Sequence, residues 1–302
     1  MLEDAVAASP QIGETEVAET VSALRLRVDG WRQAGHSVAL VPTMGFLHRA
    51  HMTLIEVARR HCQRVVVSIF VNPKQFGEGE DFALYPRDEA DDLAQLRAAG
   101  VELAFMPSVG EMYPPGFAAT VSISGLTDGL CGASRPGHFD GVSTVVTKLF
   151  LQCRPDIAVF GEKDYQQLQT VRRMTRDLDI PVEIVAVPTV REPDGLAISS
   201  RNVYLDADQR RRATTIYRVL GDIGARLTEG ASVADETARG LAMLREGTAG
   251  EVEYLELRDA ASLEPIARLV DPARLLTAVQ MGATRLIDNR PVDPPAGATP
   301  RS

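Results

Sequence analysis

Apolar positions along this chain switch between two periods in a regular order. From Thr20 to Gln33, Val21, Leu24, Leu26, Val28 and Trp31 recur at helical spacing, and Gly35 closes the segment. Short apolar runs then appear at Val38–Thr43, Val65–Val71, Glu102–Met106, Asp156–Phe160 and Val182–Val187. Helical patterns lie between them at His51–Arg60, Arg87–Ala99, Val142–Gln152 and Tyr165–Leu178. Strands that are apolar nearly throughout belong in a parallel sheet covered by helices on both faces. The alternation predicts an α/β fold with a Rossmann-like, doubly wound parallel sheet that binds ligands at the carboxyl ends of its strands.

Past residue 190 or so the pattern changes. Helical stretches at Asp206–Leu227 and Val233–Glu246 precede strands at Val252–Arg258, Arg274–Gln280 and Thr284–Ile287, predicting a smaller C-terminal α+β domain. The expected boundaries are 17–189 for the first domain and 190–290 for the second, with the second acting as a lid. Residues 1–16 are polar and aperiodic, and 291–302 are rich in Pro and Gly, so both ends are expected to be disordered.

Composition narrows the function classes. With 302 residues, 45% of them hydrophobic, the chain can bury substantial cores. A net charge of −9 argues against a broad nucleic-acid surface, though not against a small basic pocket. Cys62, Cys131 and Cys153 are odd in number and lack a Cys-x-x-Cys spacing, which suits free thiols in a reducing compartment. The first residues carry no basic stretch leading into an apolar core, and no run approaches a membrane span. A soluble cytoplasmic protein with no membrane partner is expected.

The densest chemistry follows the first apolar strand. Val41-Pro42-Thr43-Met44-Gly45-Phe46-Leu47-His48-Arg49-Ala50-His51 runs strand, tight turn, helix start. The N–H groups at a helix start are unpaired and the dipole there is positive, which suits phosphate. His48 and His51, at i and i+3, are expected on one face toward one ligand. A zinc site is not favoured, because Arg49 and Ala50 lie between the histidines where zinc helices carry His at i and i+4 around a Glu. Neither a Walker-A loop nor a Gly-x-Gly-x-x-Gly fingerprint occurs.

Four other segments fall at predicted strand ends. Ser68 to Phe76 leaves a strand with Asn72 and Gln75 at its rim, and Gly77-Glu78-Gly79-Glu80 reads as a plain loop or a lid. Gly161-Glu162-Lys163-Asp164 repeats the strand–turn–helix order. Alone it is a solvated turn, but at a strand mouth Lys163 can meet phosphate, and Glu162 and Asp164 can hold Mg²⁺ through water. Ile198-Ser199-Ser200-Arg201-Asn202 is either a helix cap or a donor-rich phosphate contact. Arg135-Pro136-Gly137-His138-Phe139 leads into an apolar helix face from Val142 that is core or a branched-aliphatic pocket.

In order and spacing, these blocks resemble the pantoate–β-alanine ligase family, of the adenylate-forming nucleotidyltransferase superfamily. The blocks are Pro-Thr-Met-Gly-x-Leu-His-x-x-His, Ser-Ile-Phe-Val-Asn-Pro-x-Gln-Phe, Tyr-Pro-Arg, Arg-Pro-x-His-Phe-x-Gly-Val, Gly-Glu-Lys-Asp-Tyr-Gln-Gln, Asp-Gly-Leu-Ala-x-Ser-Ser-Arg-Asn and Tyr-Leu-Glu-Leu-Arg-Asp. One position departs: Ala50 stands where the family pattern has glycine.

The resemblance implies an ATP-dependent ligase that uses Mg²⁺ and joins pantoate to β-alanine through pantoyl adenylate. It implies an ATP site made of Met44, Gly45, Phe46, Leu47, His48, Arg49, Ala50, His51, Gly161, Glu162, Lys163, Asp164, Val190, Ile198, Ser199, Ser200 and Arg201. His51 would be the proton donor, with His48, Lys163 and Arg201 beside it in catalysis. Gln75 and Gln167 would hold pantoate, with Phe70, Val142, Val145 and Val146 around its gem-dimethyl group. A homodimer is also implied. Two alternatives stay open: another enzyme of the superfamily, such as an aminoacyl-tRNA synthetase or cofactor nucleotidyltransferase, and an ATP-binding protein impaired at Ala50. Acidic charge and small size weigh against a tRNA enzyme.

Overall fold

In a computed structural model, residues 14–296 are described, and the expectations for 1–13 and 297–302 lie outside them. Six parallel strands form the main sheet: β1 (Glu16–Ala18), β2 (Val38–Thr43), β3 (Arg64–Ile69), β4 (Leu103–Phe105), β5 (Ile157–Gly161) and β6 (Glu183–Val187). Their spatial order is β1-β4-β3-β2-β5-β6. The chain thus winds outward from β2 through β3 to β4, then returns to place β5 on the other side of β2. That reversal opens a crevice between the carboxyl ends of β2 and β5, where an open α/β sheet takes its ligand.

Helices α1 (Val21–Gln33), α2 (Arg49–His61), α3 (Glu89–Ala98), α4 (Val109–Met112), α5 (Cys131–Ser134), α6 (His138–Cys153) and α7 (Tyr165–Asp177) complete the first domain. Thr20 caps α1 by accepting the Ala23 N–H, and Leu24, Val28 and Trp31 make its buried face. Separate apolar clusters lie on the two faces of the sheet, one built on α1, α6 and α7 and the other on α2 and α3. Burial on both sides is why β2, β3 and β5 carry no polar alternation.

In the C-terminal domain α8 (Ala207–Thr228) and α9 (Val233–Thr248) are followed by an antiparallel sheet of β7 (Glu251–Asp259), β8 (Ala273–Met281) and β9 (Thr284–Val292). Leu255, Leu257, Leu275 and Val279 pack with Ile216, Leu220 and Ile223 of α8, while Leu276 and Tyr254 join the core of the first domain. Described residues contain no helix long and apolar enough to cross a membrane. All three cysteines are buried and unpaired.

Three local expectations need correction. Residues up to 16 were expected to be aperiodic, but Glu16 opens β1, a three-residue edge strand with only Ala18 buried and too little apolar pattern to read. The tail was expected from 291, whereas β9 runs through Val292 and carries Pro291 on a sheet edge, where proline is tolerated. Helix α6 starts at His138 rather than Val142, because Gly141, a turn signal in sequence, lies within its first turn.

Candidate active site

The turn after β2 is shaped by two consecutive left-handed residues, Gly45 at φ 80° and Phe46 at φ 51°. A Cβ on Gly45 would stand 2.9 Å from Asp92 Oδ2, so glycine is required there. Asp92, buried in α3, accepts the Phe46 N–H at 2.9 Å and the Leu47 N–H at 2.6 Å, and Gln95 donates to the Leu47 carbonyl at 3.1 Å. These bonds fix the path into α2. Sequence reasoning missed Asp92 and Gln95, which read as ordinary polar residues of an amphipathic helix.

His48 is therefore the N-cap of α2, in extended backbone, and His51 sits in the first turn. Their rings stack with centroids 4.0 Å apart and 17° between planes. The His48 N–H donates to His51 Nδ1 at 3.3 Å, which leaves the proton of a neutral His51 on Nε2. His48 Nδ1 is buried with no protein partner. Burial, then the Lys163 charge, lowers the His48 pKa to about 4. Burial, then His48 and Lys163, takes His51 down to about 3. Both imidazoles are neutral at pH 7, and the dominant cause is desolvation.

A pH consequence follows. The unfolded state holds these protons more tightly, so the stability from neutral histidines is present above about pH 6.5 and lost as pH falls from there toward 4 and 3. Histidine NMR should show no titration of either ring above pH 6 in the free protein. A non-hydrolysable ATP analogue should raise both values, because phosphate favours imidazolium; unmoved values would remove the histidines from the phosphates.

The cleft narrows into a cavity of about 230 Å³ bordered by Met44, His48, Ala50, His51, Gly161, Lys163 and Asp164, and on its far wall by Val190 and Ile198 to Arg201. Gln75 and Gln167 line it too, as do Phe70, Val142, Val145 and Val146 at its apolar end. Lys163 and Asp164 sit in the 3₁₀ turn after β5, with Nζ 3.6 Å from Asp164 Oδ1. Asn289 of β9 donates to the carbonyls of Glu162 and Lys163 at 2.9 and 2.8 Å, tying that turn to the C-terminal domain. Ser199 serves both readings open to it: it caps the 3₁₀ turn Ser200–Tyr204 and faces the cleft. A larger cavity of about 510 Å³ adjoins between the domains, bounded by Lys163, Asp164, Gln167 and Arg201 on one side and by Tyr254, Thr277 and Arg285 on the other.

Five residues expected at the nucleotide line neither cavity. Gly45, Phe46 and Leu47 shape the turn through their backbone, and the Leu47 side chain belongs to the α2–α3 core. Arg49 turns outward to the Arg191 carbonyl and Glu192. Glu162 pairs with Arg274 at 2.9 Å, which removes it as a free carboxylate for Mg²⁺. Asn72, expected at the rim, is buried: it donates to Gln75 Oε1 at 3.1 Å and to the Gly141 carbonyl at 3.1 Å, and accepts from Tyr113 Oη at 2.7 Å. It orients Gln75, whose Nε2 lies 3.3 Å from Met44 Sδ.

Ala50 occupies the second helical position of α2 and is not among the residues with positive φ. Alanine is thus conformationally at home there, and its methyl borders the cavity. Ala50→Gly should tighten ATP binding by less than about tenfold, or 1.4 kcal/mol, and cost the helix up to about 1 kcal/mol. Calorimetric titration and thermal melts check this. Rescue of an inactive protein to full activity would instead mark Ala50 as disabling.

Known proteins resemble this chain in sequence and in fold. The family described as pantoate-beta-alanine ligase matches residues 16–291. A pantothenate synthetase of Paramagnetospirillum magneticum is 55% identical over 278 residues, 92% of this chain and 98% of that relative. The crystal structure of pantothenate synthetase from Thermus thermophilus superposes with a TM-score of 0.88 at 49% identity, covering 93% of this chain and 100% of that one. A Francisella tularensis pantoate-beta-alanine ligase, described in complex with beta-gamma ATP and beta-alanine, superposes at 0.77 with 30% identity over 91% of this chain and 97% of its own. The chain belongs to the pantoate–β-alanine ligase family.

Proposed function

We propose that this chain condenses pantoate with β-alanine in two steps within the cleft. The pantoate carboxylate attacks the α-phosphorus of ATP, giving pantoyl adenylate and pyrophosphate. The β-alanine amine then attacks the acyl carbon, and AMP leaves. The observation that carries this reading is convergence: segments far apart in sequence bring a stacked neutral histidine pair, Lys163, two serines and Arg201 to one cavity with an apolar end.

Each group has a role its chemistry suits. Val190 and Ile198 offer an apolar wall for the adenine, and Ser199, Ser200, Lys163 and Arg201 face the phosphates. His51 donates Nε2–H to a phosphate oxygen, with His48 stacked beside it. Gln75 and Gln167 orient the pantoate carboxylate without a counter-charge that would damp its nucleophilicity. Phe70, Val142, Val145 and Val146 take the gem-dimethyl group. No enzyme nucleophile is needed; positioning and charge stabilisation carry the reaction.

Mg²⁺ is read as arriving with ATP. Among the described residues no group of His, Cys, Asp and Glu could cage a metal, and Asp164 is the one carboxylate bordering the smaller cavity. One carboxylate plus substrate phosphates is the usual magnesium arrangement, and the ion would neutralise phosphate charge. The same reading takes 17–189 as the ATP- and pantoate-binding domain and 190–290 as its lid, in a cytoplasmic homodimer. A coupled assay for AMP with pantoate, β-alanine, ATP and Mg²⁺ tests the activity. Pyrophosphate exchange that depends on an amino acid instead of pantoate would replace it with another enzyme of the superfamily.

A further inference from the structure

Two adjacent carboxylates on the loop after the Gln75 turn each hold one edge of an arginine at the cleft. Glu80 accepts Arg135 Nε at 2.8 Å and Nη2 at 2.5 Å. Asp81 accepts Arg201 Nε at 2.8 Å and Nη2 at 2.9 Å. Both pairs are largely enclosed, with side-chain exposures of 26% and 14% for Glu80 and Arg135 and 28% and 26% for Asp81 and Arg201. Burial would raise both carboxyl pKa values, but the paired guanidinium outweighs it and holds each below the usual range, so both stay ionised.

Both arginines border both cavities, but their remaining donors are committed differently. Arg201 borders both cavities, and its Nη1 has no hydrogen-bond partner among the described residues, so the fork gripped by Asp81 leaves an amino group for a phosphate. Its guanidinium also lies 5.7 Å from the Tyr85 ring centroid, which further limits rotation. Arg135 is committed elsewhere: Nη2 donates to the Gln75 carbonyl at 3.2 Å and Nη1 lies 3.1 Å from His138 Nε2. His138 Nδ1 reaches the same Gln75 carbonyl at 2.8 Å. Glu80 therefore acts on the Gln75 turn, and Asp81 on the nucleotide wall.

We propose that Glu80 and Asp81 are positioning residues divided between the two substrates of adenylation, Asp81 aiming Arg201 at ATP and Glu80 holding Gln75 for pantoate through Arg135. The inference rests on the ligase reading. Long arginine side chains lose considerable rotamer freedom on binding a ligand, and a fixed carboxylate removes that cost in advance.

The isosteric variants Asp81→Asn and Glu80→Gln decide it, with pantoate-dependent ATP–pyrophosphate exchange as readout and thermal unfolding as a control for folding. Asp81→Asn should raise KM for ATP by about tenfold while KM for pantoate stays within about twofold, and Glu80→Gln should show the mirror image. If the ion pairs only pin the loop, both variants shift both constants alike, which overturns the division. Tighter ATP binding by Asp81→Asn also overturns it, because the carboxylate would then compete with phosphate. Should Asp81→Asn fail to fold, Asp81→Glu, which keeps the charge but displaces it by one methylene, carries the same expectation for ATP. Absence of exchange in the unsubstituted protein would overturn the ligase reading alone. Direct titration of Asp81→Asn with a non-hydrolysable ATP analogue would still test the Arg201 half, with unchanged affinity counting against it.

Discussion

Lys163→Ala is expected to lower turnover by about 10²-fold or more, the scale of removing one preorganised electrostatic stabiliser. Lys163 is the lysine bordering the smaller cavity, and among the described residues its ammonium forms one ion pair, with Asp164 at 3.6 Å. That partner is half exposed, so the lost ion pair contributes little to stability and the melting point should barely move. A second readout separates an electrostatic role from a packing one. The Lys163 charge is among the causes that lower the pKa of both His48 and His51. Its removal should raise both values in a histidine NMR titration, although burial keeps them below those of free imidazole. Near-wild-type adenylation with unshifted histidines would sink the assignment.

What the sequence made legible has a physical pattern. Strands β2, β3 and β5 were readable because burial on both faces leaves an unbroken apolar run, and the crevice between β2 and β5 then follows from strand order. The residues that border the cleft were readable too, since turns after parallel strands concentrate Gly, His, Lys and Ser. Their supports were not. Asp92 and Asn289 act on backbone groups 45 and more positions away, and nothing local marks a surface-type side chain that folding will bury. Asn72 looked like a rim residue because its neighbours Pro73 and Lys74 are turn-like, yet Tyr113 and Gly141 enclose it. The family resemblance groups Met44 to His51 as one nucleotide segment, whereas the turn with left-handed residues at 45 and 46 sends Leu47 into the α2–α3 core and leaves Met44, His48, Ala50 and His51 bordering the cleft. The same limit hid Glu80 and Asp81, whose roles depend on arginines 55 and 120 positions away.

Gly141→Ala should be among the most damaging substitutions outside the cleft lining. Gly141 lies in the first turn of α6, where helical φ suits any residue, so conformational freedom is not why glycine stands there. Space is. A Cβ would stand 2.2 Å from the Lys74 carbonyl oxygen and 2.6 Å from the Gln75 nitrogen, both backbone atoms. The helix and the turn carrying Gln75 could no longer touch, and the Asn72 bond to the Gly141 carbonyl would be strained with them. Overpacking of this kind typically costs about 1–3 kcal/mol of stability. Displacing a substrate-positioning group by about 1 Å costs roughly 10²-fold in rate. The loss should fall on kcat/KM for pantoate, while ATP-analogue affinity changes little, because the turns at 44–51 and 161–164 proposed for the nucleotide do not rest on this contact. Gly30→Ala in α1, with nothing within 4 Å of its added Cβ, is the control and should gain up to about 1 kcal/mol. Wild-type pantoate kinetics in Gly141→Ala would mean that the Gln75 turn shifts freely, and Gln75 would lose its assignment as a fixed carboxylate anchor.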